Sequence, residues 1–341
     1  MLFRQLFDEA TWTYTYLIGD EATKEAVLID AVTEQADRDL GLLDELGYNL
    51  VAVLDTHAHA DHITGADRLR HKSGAKVMLA KAARANGVDR ALEHGDIVQV
   101  GELQVEARST PGHTSGCMTF VVHGDDSRPT MAFTGDALFI RGTGRTDFQQ
   151  GDSRTLYQSI HQQIFTLPDD TLVYPGHDYK GRTVSTVAEE KQFNPRVGGG
   201  KTEDDFVDIM NNLKLGLPKR LAVSLPKNMR SGAWAPLLDG PVPEVEVSWV
   251  LRGEGGYALV DVRSQGEYED DHLPNAELSP LDGLEAAAQD WDKSAPVVLV
   301  CRSGQRSLRA AKLLQDMGFE QVASMRGGMI EVNRQKAAAA A

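Results

Sequence analysis

The chain has 341 residues, with 35 Lys and Arg against 50 Asp and Glu and a formal net charge of −15. That length predicts two domains at ~100–200 residues each, and the acidic balance argues against nucleic acid or an anionic membrane surface as partner, since both repel negative charge. Hydrophobic residues at 41% and charged residues at 25% fit a globular fold and exclude a disordered chain.

The opening segment carries Arg4, Asp8 and Glu9 and lacks the apolar core of a signal peptide. No apolar run approaches the ~18–20 residues of a membrane helix. Short apolar runs then alternate with polar helical segments, the pattern of an α/β fold. Strands are predicted over Ala26–Ile29, Leu50–Leu54, Val77–Leu79, Ile97–Ala107, Met118–Val122, Met131–Phe133 and Thr171–Tyr174. A helix capped by Ser153 carries Leu156, Ile160 and Ile164 at i, i+4, i+8, and another runs from Glu203 to Leu213. From Pro226 onward, Pro236, Pro241 and Pro243 with Gly232 and Gly240 read as a linker, because proline removes backbone donors and fixes φ. Beyond it come strands Ala258–Val262 and Pro296–Val300, then helix Ser307–Met317 closed by Gly318. The chain thus divides into a first domain over 1–234, a linker over 235–242 and a second domain over 243–336, with the alanine run 337–341 set aside as a tag. The two cysteines, Cys117 and Cys301, make no disulfide framework and are expected as reduced thiols in a cytoplasmic compartment.

Metal-ligand chemistry is concentrated just after the apolar run 50–54. His57, His59, Asp61 and His62 place three imidazoles and a carboxylate within six residues, a density that chance rarely supplies. His113 in Pro-Gly-His, Asp136 in Thr-Gly-Asp and His177 in Pro-Gly-His each follow a predicted strand, beside a glycine that permits a tight turn. His71, His94, His123 and His161 lack that context and are read as surface hydrogen-bonding residues. Spacing alone leaves the metal open: the seven positions suit two zincs, whereas one iron needs only two His and a carboxylate.

The ordered set HxHxDH, PGH, TGD and PGH resembles the metallo-β-lactamase superfamily over roughly residues 1–235, which implies an αββα sandwich with the metal at one edge of the sheets. The stretch Gly135–Gly151, with YPGHDYKG at 174–181 and EKQFNPR at 190–196, resembles the ETHE-type persulfide dioxygenases more closely than glyoxalase II. Thr143 stands where animal members carry cysteine, a departure that puts no ligand in doubt. The resemblance implies one mononuclear Fe(II) held by His57, His113 and Asp136, with His59, Asp61, His62 and His177 orienting those ligands. It further implies oxidation of glutathione persulfide by O2 to sulfite and glutathione, and a homodimer. Arg145 and Tyr179 are candidate holders of the tripeptide's carboxylates. Cys117, at the head of an apolar strand, is expected to be a buried structural thiol.

In the second domain, Cys301 follows the apolar run 297–300 and precedes Arg302, Ser303, Gly304, Gln305 and Arg306 at a helix start. Backbone N–H groups, the helix dipole and two arginines favour a thiolate there, as a nucleophilic cysteine requires. The Cys-x4-Arg loop, with Asp261-Val262-Arg263, Glu267-Tyr268, the run His272–Ala276 and Arg326-Gly327-Gly328, resembles a single-domain rhodanese with a parallel sheet. Many rhodaneses have glycine where Asp271 and Asn275 stand, so those turns are expected to differ locally. The resemblance implies that Cys301 passes sulfane sulfur from thiosulfate to glutathione, with Arg302 and Arg306 attracting the donor. The competing reading is a glyoxalase II-type two-zinc thioester hydrolase with an appended rhodanese or sulfur-binding module.

Overall fold

Six strands form the first sheet in chain order: β1 (Leu2–Asp8), β2 (Thr13–Gly19), β3 (Glu25–Ile29), β4 (Asn49–Leu54), β5 (Lys76–Ala80) and β6 (Arg90–Leu92). The sheet is antiparallel up to β3 and parallel beyond it. A second sheet takes β7 (Ile97–Val100), β8 (Leu103–Ser109), β9 (Met118–Val122), β10 (Met131–Gly135), β11 (Leu172–Pro175) and β12 (Ser185–Thr186), again in chain order. This computed structural model describes all residues except 126, 214–220, 233–241, 254, 255 and 341, and the chain falls into two units, 1–232 and 233–341.

Alternation along the strands assigns the layers of the first unit. Tyr16, Ile18, Val27 and Ile29 of the first sheet share one buried cluster with Phe120, Val122, Met131 and Phe133 of the second, so the two sheets pack face to face. The alternate residues Leu17, Ala26 and Leu28 face outward under α1 (Ala36–Leu46) and α2 (Ala66–Ser73). Val121 and Ala132 do the same under α3 (Ser153–Ser159), α4 (Val187–Phe193) and α5 (Glu203–Asn211). The result is the expected αββα sandwich, and each large apolar side chain buried in it contributes about 1.5–3 kcal/mol.

Several expectations change in detail. The run Ile97–Ala107 is a hairpin, not one strand, because Gly101 turns at φ +58 between β7 and β8. Asp152, not Ser153, caps α3, accepting from the Thr155 N–H at 2.7 Å. Leu156, Ile160 and Ile164 are all buried as the spacing predicts, although the last turn widens into a π-turn. The stretch from Pro226 is not linker at its start: α6 (Leu221–Asn228) contains Pro226 within it. Asn228, Met229 and Ser231 then hydrogen-bond back to the first unit, so tertiary contacts outweigh the proline signal. Residues 235–241 of the expected linker lie outside the described residues.

The second unit is built on an all-parallel five-stranded sheet of order β13-β17-β16-β14-β15. Its strands are β13 (Glu244–Val245), β14 (Ala258–Asp261), β15 (Ala276–Leu278), β16 (Val297–Val300) and β17 (Val322–Met325). The helices are α7 (Val247–Leu251), α8 (Gln265–Asp270), α9 (Leu284–Ala287), α10 (Gln305–Asp316) and α11 (Gly328–Ala340). Val298 and Val300 pack with Val247, Met329 and Val332 on one face, while Val297, Leu299 and Cys301 pack with Ala310, Ala311 and Leu314 on the other. That period-2 alternation puts the Cys301 side chain beneath α10. Asn275 fills its turn at φ +63, a conformation asparagine tolerates better than most residues. The alanine run set aside as a tag continues α11 as far as Ala340, as alanine's helix propensity favours.

Candidate metal centre and thiol loop

The ends of β4, β8, β10 and β11 deliver the ligand-type residues to one end of the sandwich. His57 follows β4, His113 follows β8, Asp136 follows β10 and His177 follows β11. Two glycines permit the approach. A Cβ on Gly112, at φ +131, would lie 2.3 Å from the Leu156 nitrogen, and one on Gly135, at φ +50, would lie 2.4 Å from Thr56 Oγ1. The backbone bond from Met118 N–H to Thr56 carbonyl, at 2.8 Å, ties the two sheets together there.

His57, His113 and Asp136 converge, with donor atoms all within 4.8 Å of one another. Their hydrogen bonds set the tautomers. Thr56 Oγ1 donates to Asp30 Oδ2 at 2.9 Å and so accepts from His57 Nδ1–H at 3.1 Å. His113 Nδ1–H donates to the Arg145 carbonyl at 2.6 Å. His113 Nε2 stands 3.6 Å from Asp136 Oδ2. Burial, with His59 and His113 nearby, holds the His57 imidazole well below its ordinary pKa, in the neutral form that ligates. Asp136 Oδ1 is buried without a hydrogen-bond partner among the described residues. Two imidazoles and a carboxylate with an unsatisfied oxygen fit a divalent metal, and this donor set is the one used for non-haem Fe(II).

The other four ligand-type residues stand beside that trio. His59, Asp61 and His62 form a second group within the same 4.8 Å limit. His59 Nδ1 and His62 Nε2 are buried without partners among the described residues. His59 Nε2 donates to Asp30 Oδ1 at 3.2 Å; burial opposes its charge, but Asp30, Asp55 and Asp61 outweigh that and push the imidazole up to about 10. Burial pushes Asp55 up to about 7. His177 donates Nδ1–H to the Trp12 carbonyl at 3.1 Å, and its Nε2 lies 3.5 Å from both Asp61 Oδ2 and Asp136 Oδ1.

Two residues the motif reading missed support this loop. Asp30, in the left-handed region at φ +53, accepts from Thr56 N–H, Thr56 Oγ1 and His59 Nε2. Asn228 donates to the His59 and His62 carbonyls at 2.9 and 2.7 Å and accepts from Thr64 N–H at 2.9 Å. Neither sits in a spacing pattern, and Asn228 lies in the stretch read as linker. Among the remaining histidines, His123 pairs with Glu106 and His71 with Asp67.

A cavity of about 670 Å³ opens over His57, His113, Asp136 and His177. Arg145 and Tyr179 both line it, as do Trp12, Phe148, Lys180 and Arg196. Arg145 is paired with Asp147, Nε to Oδ1 at 2.6 Å, and lies over the Phe148 ring. Arg196 donates to the Thr143 carbonyl at 2.6 Å and makes no ion pair among the described residues. Cys117 is buried, and burial pushes its thiol up to about 12, an inert structural group.

In the second unit, Cys301 is fully buried, with Sγ 3.2 Å from the Gly304 N–H and 3.5 Å from Ser307 Oγ. Burial disfavours the thiolate, but the hydroxyl of Ser307 and the backbone N–H groups of Ser307, Ser303 and Gly304 outweigh it, so the pKa falls. The Gly327-Gly328 turn closes over this loop, and a Cβ on Gly328 would meet the Cys301 carbonyl at 2.2 Å. Arg306 is held by Glu267 through two bonds of 2.7 and 2.6 Å, which lower the Glu267 carboxyl to about 2. Arg302 is exposed and has no carboxylate partner among the described residues.

Comparison with known proteins identifies both domains. The metallo-beta-lactamase superfamily profile matches residues 13–177 and the rhodanese-like domain profile residues 246–335. The human mitochondrial persulfide dioxygenase ETHE1 is 50% identical over 237 residues, covering 69% of this chain and 91% of the human protein. The crystal structure of ETHE1 from Myxococcus xanthus superposes with a TM-score of 0.65 at 50% identity, covering 68% of this chain and all of that one. A Staphylococcus aureus metallo-beta-lactamase structure, 23% identical with a TM-score of 0.63, covers 96% of this chain and shares its fold. With a trio of metal-type donors at the sandwich edge and a cysteine cradle at a helix start, the chain belongs to the persulfide dioxygenase family of the metallo-β-lactamase superfamily and carries a C-terminal rhodanese domain.

Proposed function

We propose that this chain oxidises glutathione persulfide at the first unit and supplies that persulfide at the second. His57, His113 and Asp136 would hold one Fe(II), which when bound activates O2 and brings it to the persulfide sulfur. The convergence of those three donors on the floor of a cavity is the observation that carries this reading. His113 and His57 are held through Nδ1 by the Arg145 carbonyl and Thr56, while His177 stands beside Asp136 and Asp61. The cationic lining, Arg145, Lys180 and Arg196, suits the two carboxylates of glutathione, and the aromatic lining limits water around the reacting sulfur. The balance is RSSH + O2 + H2O to RSH, sulfite and two protons.

At the second unit, the Cys301 thiolate would attack the outer sulfur of thiosulfate, form an enzyme persulfide and release sulfite. Glutathione thiolate would then take the sulfane sulfur and restore Cys301, with the N–H groups of Ser303 and Gly304 stabilising each sulfur anion. Together the two reactions turn one thiosulfate and one O2 into two sulfites, and glutathione is regenerated.

The test is oxygen uptake by Fe(II)-loaded protein on addition of preformed glutathione persulfide. One O2 consumed per persulfide, with sulfite appearing, is the expected result; no uptake with iron bound would refute the reading. The unpartnered nitrogens of His59 and His62 favour a second reading, a two-zinc thioester hydrolase. Two zincs per chain and hydrolysis of S-lactoylglutathione would establish it instead.

A further inference from the structure

Trp12 stands in the left-handed region at φ +60, where a bulky side chain carries backbone strain. Its carbonyl accepts Nδ1–H of His177 at 3.1 Å. Glycine or asparagine would present the same carbonyl with less strain, so that bond does not account for a tryptophan here. Nor does packing, since the residue remains 42% exposed. Trp12 lines the same cavity as the metal-type donors. It is continuous with the ring of Tyr179, 6.3 Å away between centroids, and with Phe7 at 6.1 Å. Tyr179 is itself 62% exposed and stacks parallel to His177. The site thus keeps an open aromatic wall in the same cavity as Lys180 and Arg196, neither of which has a carboxylate partner among the described residues.

We infer that Trp12 is a specificity-determining residue: its indole is the wall against which the peptide planes and methylene groups of a glutathione-type thiol lie while Lys180 and Arg196 take its carboxylates. Rigid aromatic faces offer large contact area to planar groups at small entropic cost. The inference rests on the substrate class proposed above.

Trp12 is the sole tryptophan in residues 1–232, the others being Trp234, Trp249 and Trp291. Titrating the full-length, Fe(II)-loaded protein with glutathione should therefore change its emission saturably, and W12F should abolish most of that change. W12G keeps the carbonyl that supports His177 and loses the ring. In it KM for glutathione persulfide should rise about three- to tenfold, with kcat/KM falling through KM and bound iron retained; W12F should fall between the two. W12N serves the same purpose should the glycine variant not fold, because asparagine also tolerates this backbone conformation. Wild-type KM and wild-type glutathione affinity by calorimetry in W12G or W12N would overturn the inference, as would a loss confined to kcat, which would assign Trp12 to the backbone alone. Absence of oxygen uptake by the wild-type protein would instead refute the proposed substrate itself.

Discussion

At the scale of single residues, the metal-type trio is organised by what each ring does with its other nitrogen. Thr56 and the Arg145 carbonyl engage Nδ1 of His57 and His113, which fixes how both rings stand toward Asp136. Asp136→Asn removes the charge from that set, and iron retained after gel filtration should fall, with affinity down at least about tenfold. Metal analysis of the purified variant checks this. The two thiols are separated by their surroundings. Hydrogen bonds draw Cys301 below the 9.0 of an unperturbed thiol, whereas burial raises Cys117 to about 12. Thiolate ultraviolet absorbance should therefore rise with pH through a midpoint below 9 in the wild type and be absent from Cys301→Ser over that range. Ser307→Ala should move the midpoint upward, because it deletes one donor to Sγ.

At the scale of elements, strand ends and short helices determine whether these residues meet. The His57–His62 loop is held from a distance in sequence by Asn228 at the end of α6, whose amide satisfies three backbone groups of that loop and the turn after it. Asn228→Ala should leave those buried groups unpaired and cost about 2–4 kcal/mol, read as a lower thermal midpoint of the first unit. The proline pattern concealed this role, since a proline-rich stretch reads as linker unless its tertiary contacts are known. The strands with clear apolar runs were legible, and so was the face of α3 that buries Leu156, Ile160 and Ile164. β2 was not recognised, although its Thr13-Tyr14-Thr15-Tyr16 alternation is itself a strand signal. In the second unit, strand alternation and helix start together account for the position of Cys301, and the Glu267–Arg306 pair shows that one of the two arginines is already neutralised.

At the scale of the whole molecule, the two sites lie in separate units of one chain, and the proposed reactions share glutathione persulfide. Cys301→Ser should abolish oxygen uptake from thiosulfate plus glutathione and leave uptake from preformed glutathione persulfide unchanged. An oxygen electrode measures both. Loss of both activities would show that the first site depends on Cys301, contrary to the proposal.

Donor identity and order along the chain were readable directly: the HxHxDH run, the three glycine-flanked ligands and the cysteine loop are local, and local spacing is what a sequence displays. The two-domain division and the α/β class followed from the same kind of signal, apolar runs broken by turns. Spacing left open which donors converge; the resemblance named residues 57, 113 and 136, and the tertiary structure brings those three together from two different sheets. It also decided that Asp30 and Asn228 support the loop, that Arg306 is paired, and that Trp12 forms a cavity wall. Each of these depends on distances between residues far apart in the chain, and those are set only when the sheets pack and their strand ends meet.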